Sequence, residues 1–514
     1  MPDKITPELG MLNMNINFTM QNLLCILLAA SMFCAAEAFS DTAKPDTSKN
    51  ALSALAKDVH YFTLKNGLRV ILYRRAVAPV FAGVVSVRVG GVNEIPGQTG
   101  ISHMLEHMAF KGTPFLGTKD YQREKELLKE VEELAAQFGE QPKGTVEQRE
   151  RWERLHAELN TIWDSNAYFY QYNRRGAYHM NATTAKELTN YYVNLPRNAF
   201  EFWCWMESER FLNPVMRQFY KERDVIMEER RMNYEDRPTG KLYEKLLGIV
   251  YLSHPYRNPV IGYAADLKKL TATQVERFMK QYYVPSNMAI AVVGDVDPKR
   301  DLKVIERYFG RLPAGELPRH PTAVEPQQEG ERQVTLKLES SPELALVYRK
   351  PQYPDPDDAP LALMLKILAG SNISPLYSKL VKQDQLAVNL SYFEAPGAAY
   401  PNFVFFHIPA KNPHTNQELL RAFDKAVLQF KVQGVTEKQL ATAKRSLSIE
   451  FLNGIRSNKS LALQLLSSEL VYGDWKVFLE WYDQLARVTT SDVERVAKQY
   501  LVAENRTVGM IETR

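Results

Sequence analysis

Two histidines and a glutamate in one short stretch have the spacing of a metal site. His103, Glu106 and His107 follow the order H-x-x-E-H. On a helix, His103 and His107 lie one turn apart on one face, where two neutral imidazoles can hold one Zn2+. Glu106 lies beside them, where its carboxylate can accept a proton from an attacking water. The pattern therefore predicts a zinc site with an adjacent general base.

The residues around this stretch argue against the alternative, two solvated histidines on a surface helix. The neighbours are apolar: Met104, Leu105, Met108 and Phe110. Imidazoles and a carboxylate that are buried together need compensation, and a metal ion supplies it.

A catalytic zinc needs a third protein ligand from another element. The charged stretch 219–233 has apolar residues at helical spacing and offers several carboxylates. Glu222 and Glu229 are seven residues apart and share one helix face, whereas Glu228 points about 100° away from Glu229. A solvated helix with i, i+4 ion pairs would show the same spacing, so the pattern alone leaves both interpretations open.

The elements that position these residues belong to a duplicated chain. Residues 271–284 and 489–502 are identical at 8 of 14 positions, with an offset of 218. In both copies a threonine precedes an amphipathic stretch, as a helix N-cap does, and a β-rich run follows. Strands mixed with long helices in each copy predict the α+β class, built as tandem duplicated domains of mixed sheet packed with helices.

Composition predicts where these domains begin and end. Four prolines interrupt residues 312–331, which we interpret as an interdomain linker between an N-terminal domain at 58–311 and a C-terminal duplicated domain at 332–514. Within residues 119–164, 20 of 46 residues are charged, and apolar residues at helical spacing flank Pro142 and Gly144. This pattern predicts an inserted helical hairpin, whose charges form either a solvated face or a docking arm.

The N-terminus has the pattern of an export signal. Leu23 to Ala36 is uncharged, too short for a membrane span of about 20 residues, and is followed by the A-x-A sequence 36–38. We predict a signal peptide over 1–38, a polar linker over 39–57 and a periplasmic location. Lys4 is the only cation among the first 22 residues, and a buried N-terminal helix is the alternative.

Charge and composition exclude several classes of protein. Hydrophobic residues make up 45% and charged residues 24%, as in an ordinary folded protein. The net charge of +4 over 514 residues argues against a nucleic-acid partner. Three cysteines exclude a disulfide scaffold, and no later segment is long and apolar enough to predict a membrane span in the mature chain.

Several separated motifs resemble, in the same order, those of the pitrilysin, insulysin and mitochondrial processing peptidase family. They are the stretch 100–113 with Glu94 upstream, Asn-Ala-Thr at 181–183, the acidic stretch 222–229, and 254–262. The H-x-x-E-H order is the inverzincin motif of zinc peptidases. The resemblance covers nearly all of the chain after the predicted signal, including the duplication, and implies the mitochondrial processing peptidase-like metallohydrolase fold.

The resemblance assigns roles to the candidate residues. It implies that His103, His107 and Glu229 bind Zn2+, that Glu106 is the general base, and that Glu222 is a supporting carboxylate of the catalytic centre. His107 and Glu229 are 122 residues apart, whereas the family spacing is in the seventies; without the 46-residue hairpin the spacing becomes 76. The activity implied is that of a zinc metalloendopeptidase, a hydrolase acting on peptides or unfolded segments.

The family also binds extended peptides along a strand edge. By resemblance, the backbone near Asn181 and Ala182 binds substrate, although Asn181 would serve equally as a brace for a turn.

The chain departs from the family in its C-terminal half. Where active members carry an arginine and a tyrosine that grip the substrate, this chain has Pro375 and Val388, which provide neither charge nor hydroxyl. We interpret this as division of labour with a second two-domain subunit, in a heterodimer whose partner supplies that pair. A homodimer is the alternative assembly, and a non-catalytic structural or peptide-binding subunit is the alternative function.

Overall fold

The computed structural model describes residues 55–137 and 144–514. The predicted signal peptide and residues 39–54 of the predicted linker lie outside this range. Residues 55–58 form a helical turn, and Leu55 is buried with 6% of its surface exposed. The last residues of the predicted linker therefore belong to the folded unit.

The first sheet has six strands in the order β1-β2-β6-β3-β5-β4, and only β2 and β6 are parallel. Strand β3 is buried along almost its whole length because both faces of the sheet are covered. Strand β4 forms one edge. The strands are β1 Val59–Thr63, β2 Arg69–Arg74, β3 Val80–Val87, β4 Tyr178–Thr184, β5 Thr189–Pro196 and β6 Met288–Gly294.

The described part of the N-terminal half has nine helices of seven to 17 residues and one of four residues, Ala264–Leu267. The nine longer helices are α1 Ile101–Met108, α2 Tyr121–Gln137, α3 Val146–Ile162, α4 Ala167–Asn173, α5 Phe200–Leu212, α6 Phe219–Arg230, α7 Pro238–Val250, α8 Ala272–Tyr282 and α9 Pro298–Phe309. Helices α2 and α3 lie within the predicted hairpin, 119–164, and pack against each other. Residues 313–330 contain neither helix nor strand.

The second sheet has five strands in the order β7-β11-β8-β10-β9, with β7 and β11 parallel. Its strands are β7 Arg332–Leu338, β8 Glu343–Lys350, β9 Ser391–Ala395, β10 Asn402–Pro409 and β11 Arg506–Thr513. The helices of eleven or more residues in this half are α10 Asp358–Ala369, α11 Asn416–Gln433, α12 Glu437–Gly454, α13 Asn458–Tyr472, α14 Val477–Arg487 and α15 Thr490–Tyr500. Two mixed sheets packed with helices confirm the predicted α+β class.

The sequence repeat is also a structural repeat. Thr271 caps α8 and Thr489 caps α15, each accepting a hydrogen bond from the backbone N–H three residues later. After each helix an asparagine, Asn287 or Asn505, donates to the carbonyl of the helix's last tyrosine, at 2.9 Å in both copies. Equal residues thus perform equal structural roles in the two halves.

One helix of each half packs on the sheet of the other half. Helix α7 packs on β7 and β11, and α13 packs on β3 and β6. The contact at α7 is close, because a Cβ on Gly509 of β11 would lie 2.9 Å from Leu246 Cδ1. The two halves therefore share their hydrophobic cores.

No helix in residues 55–137 or 144–514 is long and apolar enough to cross a membrane.

Candidate metal centre

The helix that carries the H-x-x-E-H motif begins at a tight, buried turn. Gly100 precedes α1 with φ of 88°, a conformation that glycine adopts without strain. The Glu94 carboxylate accepts hydrogen bonds from the backbone N–H groups of Gly100 and Ser102, at 2.8 and 2.9 Å. Burial raises the pKa of Glu94 to about 7. Glu94, part of the family-like motif, thus caps the helix that presents the two histidines.

Three potential ligand atoms converge between α1 and α6. Nε2 of His103 and Nε2 of His107 each lie 3.9 Å from Oε2 of Glu229. These distances are too long for hydrogen bonds. Ligands about 2.1 Å from a tetrahedral Zn2+ lie about 3.4 Å apart, so a zinc ion would draw these atoms together by a few tenths of an ångström. The spacing therefore fits a metal better than a hydrogen-bonded cluster.

The protonation of His103 also suits a ligand. Burial, and then the charge of His107, lower the pKa of His103 to about 4, which keeps its imidazole neutral. Its Nδ1 is buried and has no hydrogen-bond partner among the described residues. Two imidazoles and one carboxylate are a donor set that zinc accepts, with a fourth position left for water.

Glu222 binds His107 at Nδ1, the ring nitrogen that faces away from the candidate metal position. Its Oε1 lies 2.9 Å from Nδ1 of His107, and its Oε2 accepts a hydrogen bond from Lys111 Nζ at 2.5 Å. Burial alone would raise the pKa of Glu222, but the hydrogen bonds from His107 and Lys111 and their charges lower it to about 2. An ionised Glu222 keeps the proton of His107 on Nδ1 and directs the Nε2 lone pair toward the metal position.

The carboxylate of Glu106 is fixed by the edge strand β4. Its Oε2 accepts a hydrogen bond from Thr184 Oγ1 at 2.6 Å. Sequence reasoning assigned roles to neither Thr184 nor Lys111. Lys111 is only four residues after His107, so its closeness in sequence could have drawn attention to it. Thr184 is 78 residues from Glu106, and no local pattern links the two.

Asn181 and Ala182 lie on β4, three and two residues before Thr184. Asn181 Oδ1 accepts a hydrogen bond from the Ala182 backbone N–H at 2.9 Å. Donors alternate between the two sides of an antiparallel strand, so the Ala182 N–H points away from β5, toward the free edge. The edge strand therefore presents a backbone donor beside the helix that carries His103, Glu106 and His107.

The positions expected for an arginine and a tyrosine lie in the C-terminal half. Pro375 begins a short helix, Pro375–Tyr377, and the Val388 side chain is on the surface, with 63% of the residue exposed. Neither side chain can donate a hydrogen bond to a substrate.

Two family models match the chain. The model described as Insulinase (Peptidase family M16) matches residues 69–145, which include the H-x-x-E-H motif. The model described as Peptidase M16 inactive domain matches residues 269–447.

A sequence relative of similar length and a solved structure with a similar fold are consistent with these family matches. The chain is 27% identical over 452 residues to a zinc protease of Helicobacter pylori named PqqE, covering 85% of this chain and 89% of that protein. A crystal structure of a protease from Helicobacter pylori has a TM-score of 0.74 at 23% identity, covering 88% of this chain and 99% of that chain.

A third similarity concerns a longer protein. The periplasmic protease PqqL from Escherichia coli has a TM-score of 0.68 at 18% identity, and the alignment covers 89% of this chain but 48% of that chain. The PqqL chain is thus about twice as long as the part that this fold matches. Taken together, the motif, the shared fold and the family matches show that the chain belongs to the M16 family, which includes insulysin and pitrilysin, as a two-domain member.

Proposed function

We propose that this chain is a zinc-dependent endopeptidase subunit that hydrolyses peptides or unfolded segments. The observation that carries the proposal is the convergence of His103, His107 and Glu229 on one point, with the Glu106 carboxylate on the same helix as the two histidines. The names of the relatives as zinc proteases support the same ion.

The chemistry divides between the ion and the chain. A bound Zn2+ would supply a Lewis acid that lowers the pKa of a water and polarises the scissile carbonyl. Glu106 accepts a proton from the attacking water and later delivers it to the leaving amine. The hydrogen bond from Thr184 holds this carboxylate in one orientation through both transfers.

The edge strand β4 supports an extended mode of substrate binding. A peptide that adds to this edge can accept a hydrogen bond from the Ala182 N–H, displacing the Asn181 side chain that now occupies it. Such binding requires a segment without its own hydrogen-bonded structure, which favours short peptides and unfolded chains over folded proteins.

We further propose that the subunit is exported to the periplasm and works in a paired assembly. The predicted signal peptide supports export, and the similar structure of a periplasmic protease points in the same direction. Because the PqqL chain is about twice the length of the matched fold, we expect this chain to pair with a second two-domain subunit. A heterodimer would supply the missing arginine and tyrosine, whereas a homodimer would work without them.

Two observations favour a second candidate function, a non-catalytic structural or peptide-binding subunit. The C-terminal half matches a model described as an inactive domain, and it lacks the arginine and tyrosine at Pro375 and Val388. The intact set of three ligands and a base in the N-terminal half favours catalysis.

The test is to express the chain from Phe39 onward, and to measure bound zinc and cleavage of a quenched peptide. We expect about one zinc per chain, lost in Glu229→Gln and retained in the matched control Glu228→Gln, whose side chain is 54% exposed and paired with Arg231. Glu106→Gln should keep zinc and lose cleavage by at least about a hundredfold, the contribution of a general base.

Each outcome separates the candidates. Zinc with cleavage that Glu106→Gln abolishes supports the enzyme and shows that one kind of chain suffices. Zinc without cleavage, in the isolated chain and in mixtures with other two-domain subunits, favours the non-catalytic function. A chain that binds no zinc contradicts the proposal.

A further inference from the structure

We propose that Glu124, in the helical hairpin, is a positioning residue for the metal centre and acts on His107 through three intervening side chains. These contacts form a bracing network of Glu124, Arg217, Lys111, Glu222 and His107. The inference rests on the proposed zinc site and adds to it a role for the inserted hairpin.

The first contact is a buried ion pair between the hairpin and the core. Glu124 of α2 and Arg217 have 0% and 1% of their side chains exposed, and Arg217 donates from Nε and Nη2 to the two carboxylate oxygens at 2.5 and 2.8 Å. Trp163, the C-cap residue directly after α3, donates from Nε1 to Glu124 at 2.6 Å. Both helices of the hairpin therefore converge on this carboxylate, and the pair is strongly coupled because each charge is buried.

The second contact joins Arg217 to the loop that leaves the motif helix. The guanidinium donates to the backbone carbonyls of Lys111, Thr113 and Leu116. Two glycines make room for it: Gly112 and Gly117 have φ of 94° and 98°, and a Cβ at either would lie 2.8 or 2.6 Å from Arg217 Nη1. The loop is thus wrapped around this guanidinium.

The third contact reaches the metal centre. Because Arg217 binds the Lys111 carbonyl, it fixes the backbone from which the Lys111 ammonium reaches Glu222, which in turn binds His107 Nδ1. Arg217 also lies two residues before α6, the helix that carries Glu222 and Glu229. Glu124 thereby influences the orientation of a metal ligand without touching it.

The hairpin has a separate attachment that provides a structural control. Tyr220 of α6 donates to Oε2 of Glu132 in α2 at 2.6 Å, and this contact does not belong to the bracing network. Tyr220→Phe therefore loosens the hairpin from α6 and leaves the network intact.

The experiment measures zinc affinity by chelator competition, the absorption spectrum of the Co2+-loaded protein and the melting temperature. For Glu124→Gln we expect zinc affinity to fall by about tenfold to a hundredfold, as when an indirect partner of a metal ligand is removed, together with a changed Co2+ spectrum. Arg217→Lys should behave similarly, because one ammonium cannot bind the carboxylate and three carbonyls. Tyr220→Phe should lower the melting temperature without changing either metal readout.

A double variant without either charge provides a second test in case the single variant misfolds. If Glu124→Gln leaves Arg217 uncompensated and the variant does not fold, Glu124→Gln with Arg217→Gln removes both charges. We expect zinc affinity in the double variant to fall no further than in the single variant with the larger loss, because both changes break the same network.

Two results would count against the inference in different ways. If the wild-type chain binds zinc and folded Glu124 and Arg217 variants bind it within twofold with the same Co2+ spectrum, the positioning role is wrong and the zinc site stands. If the wild-type chain binds no zinc, the proposed function itself has failed.

Discussion

At the scale of single residues, the direction of one carboxylate decides whether proton transfer can occur. Glu106 lies on α1, but the contact that fixes its carboxylate comes from Thr184 at the end of β4. A general base must point at its proton within hydrogen-bonding distance. Thr184 therefore couples the edge strand, where we expect substrate, to the carboxylate that we propose as the general base.

We predict that Thr184→Val lowers kcat by about tenfold to a hundredfold and leaves KM and zinc content unchanged. A hydrogen bond to a charged group contributes about 1.5–3 kcal/mol, and valine preserves the volume of threonine. Steady-state kinetics on a quenched peptide measure the effect in the assembly that is active. Thr183→Val is the matched control, because the Thr183 hydroxyl accepts only a 3.3 Å hydrogen bond from Asn190. Equal losses in the two variants would contradict the prediction.

Which residues of the site could be predicted depends on how local their contacts are. The spacing on one helix is enough to predict His103, Glu106 and His107 as site residues. The family resemblance is needed to assign roles to Glu222 and Glu229. Thr184 and Arg217 could not be found this way, because their partners lie 78 and 93 residues away and no periodicity links them. Tertiary contacts between separate elements carry no signature in the local sequence.

At the scale of elements, the start of α1 is stabilised by a carboxyl group whose protonation changes near neutral pH. Burial raises the pKa of Glu94 from 4.5 to about 7, although two backbone N–H groups bind its carboxylate. The folded state therefore holds this proton more tightly than the unfolded state. The resulting stabilisation is complete below pH 4.5 and is lost as the pH rises through 7.

We predict that the free energy of unfolding of the wild type, relative to Glu94→Gln, falls by about 3 kcal/mol between pH 4.5 and pH 7. Denaturant unfolding of both proteins across this range measures it, and the comparison cancels every other titrating group. Glutamine keeps one acceptor for the capped N–H groups. A difference that is constant with pH, or that rises, would show that the two hydrogen bonds hold Glu94 ionised instead.

The elements also show where periodicity stops being informative. The repeat predicts two similar halves. It does not predict that α7 and α13 each pack on the sheet of the opposite half. Even an amphipathic pattern specifies only that a helix buries one face, and not the surface against which it packs.

At the scale of the whole molecule, the packing of α7 and α13 on the sheet of the opposite half joins the two halves into one folding unit. Leu242 and Leu246 of α7 belong to a core with strands of the second sheet, while Leu465 and Leu466 of α13 belong to a core with strands of the first. Separating the halves would expose both cores. We therefore expect the candidate metal centre in the N-terminal half to depend on the C-terminal half for its stability, even where that half contributes no ligand.

At the scale of the whole molecule, positions 375 and 388 carry proline and valine, and we propose that a second chain supplies the arginine and tyrosine that active family members have there. Oxyanion-binding donors contribute about 10²–10³ in kcat where they have been removed singly, so a chain with Pro375 and Val388 should turn over slowly alone. Val388 is 63% exposed, which leaves room for a tyrosine. Pro375 occupies a first helical turn, where an arginine is tolerated because the backbone N–H there needs no partner within the helix.

We predict that a surrogate second subunit restores the rate. A copy carrying Glu106→Gln, Pro375→Arg and Val388→Tyr has the donors but no base, whereas the wild-type chain has the base but no donors. Copurified through two affinity tags, the pair should cleave a quenched peptide at least about tenfold faster than the wild-type chain alone. A partner copy carrying only Glu106→Gln should give no gain. If the triple variant gives none either, copies of this chain do not complete one another's sites, and division of labour requires a different subunit.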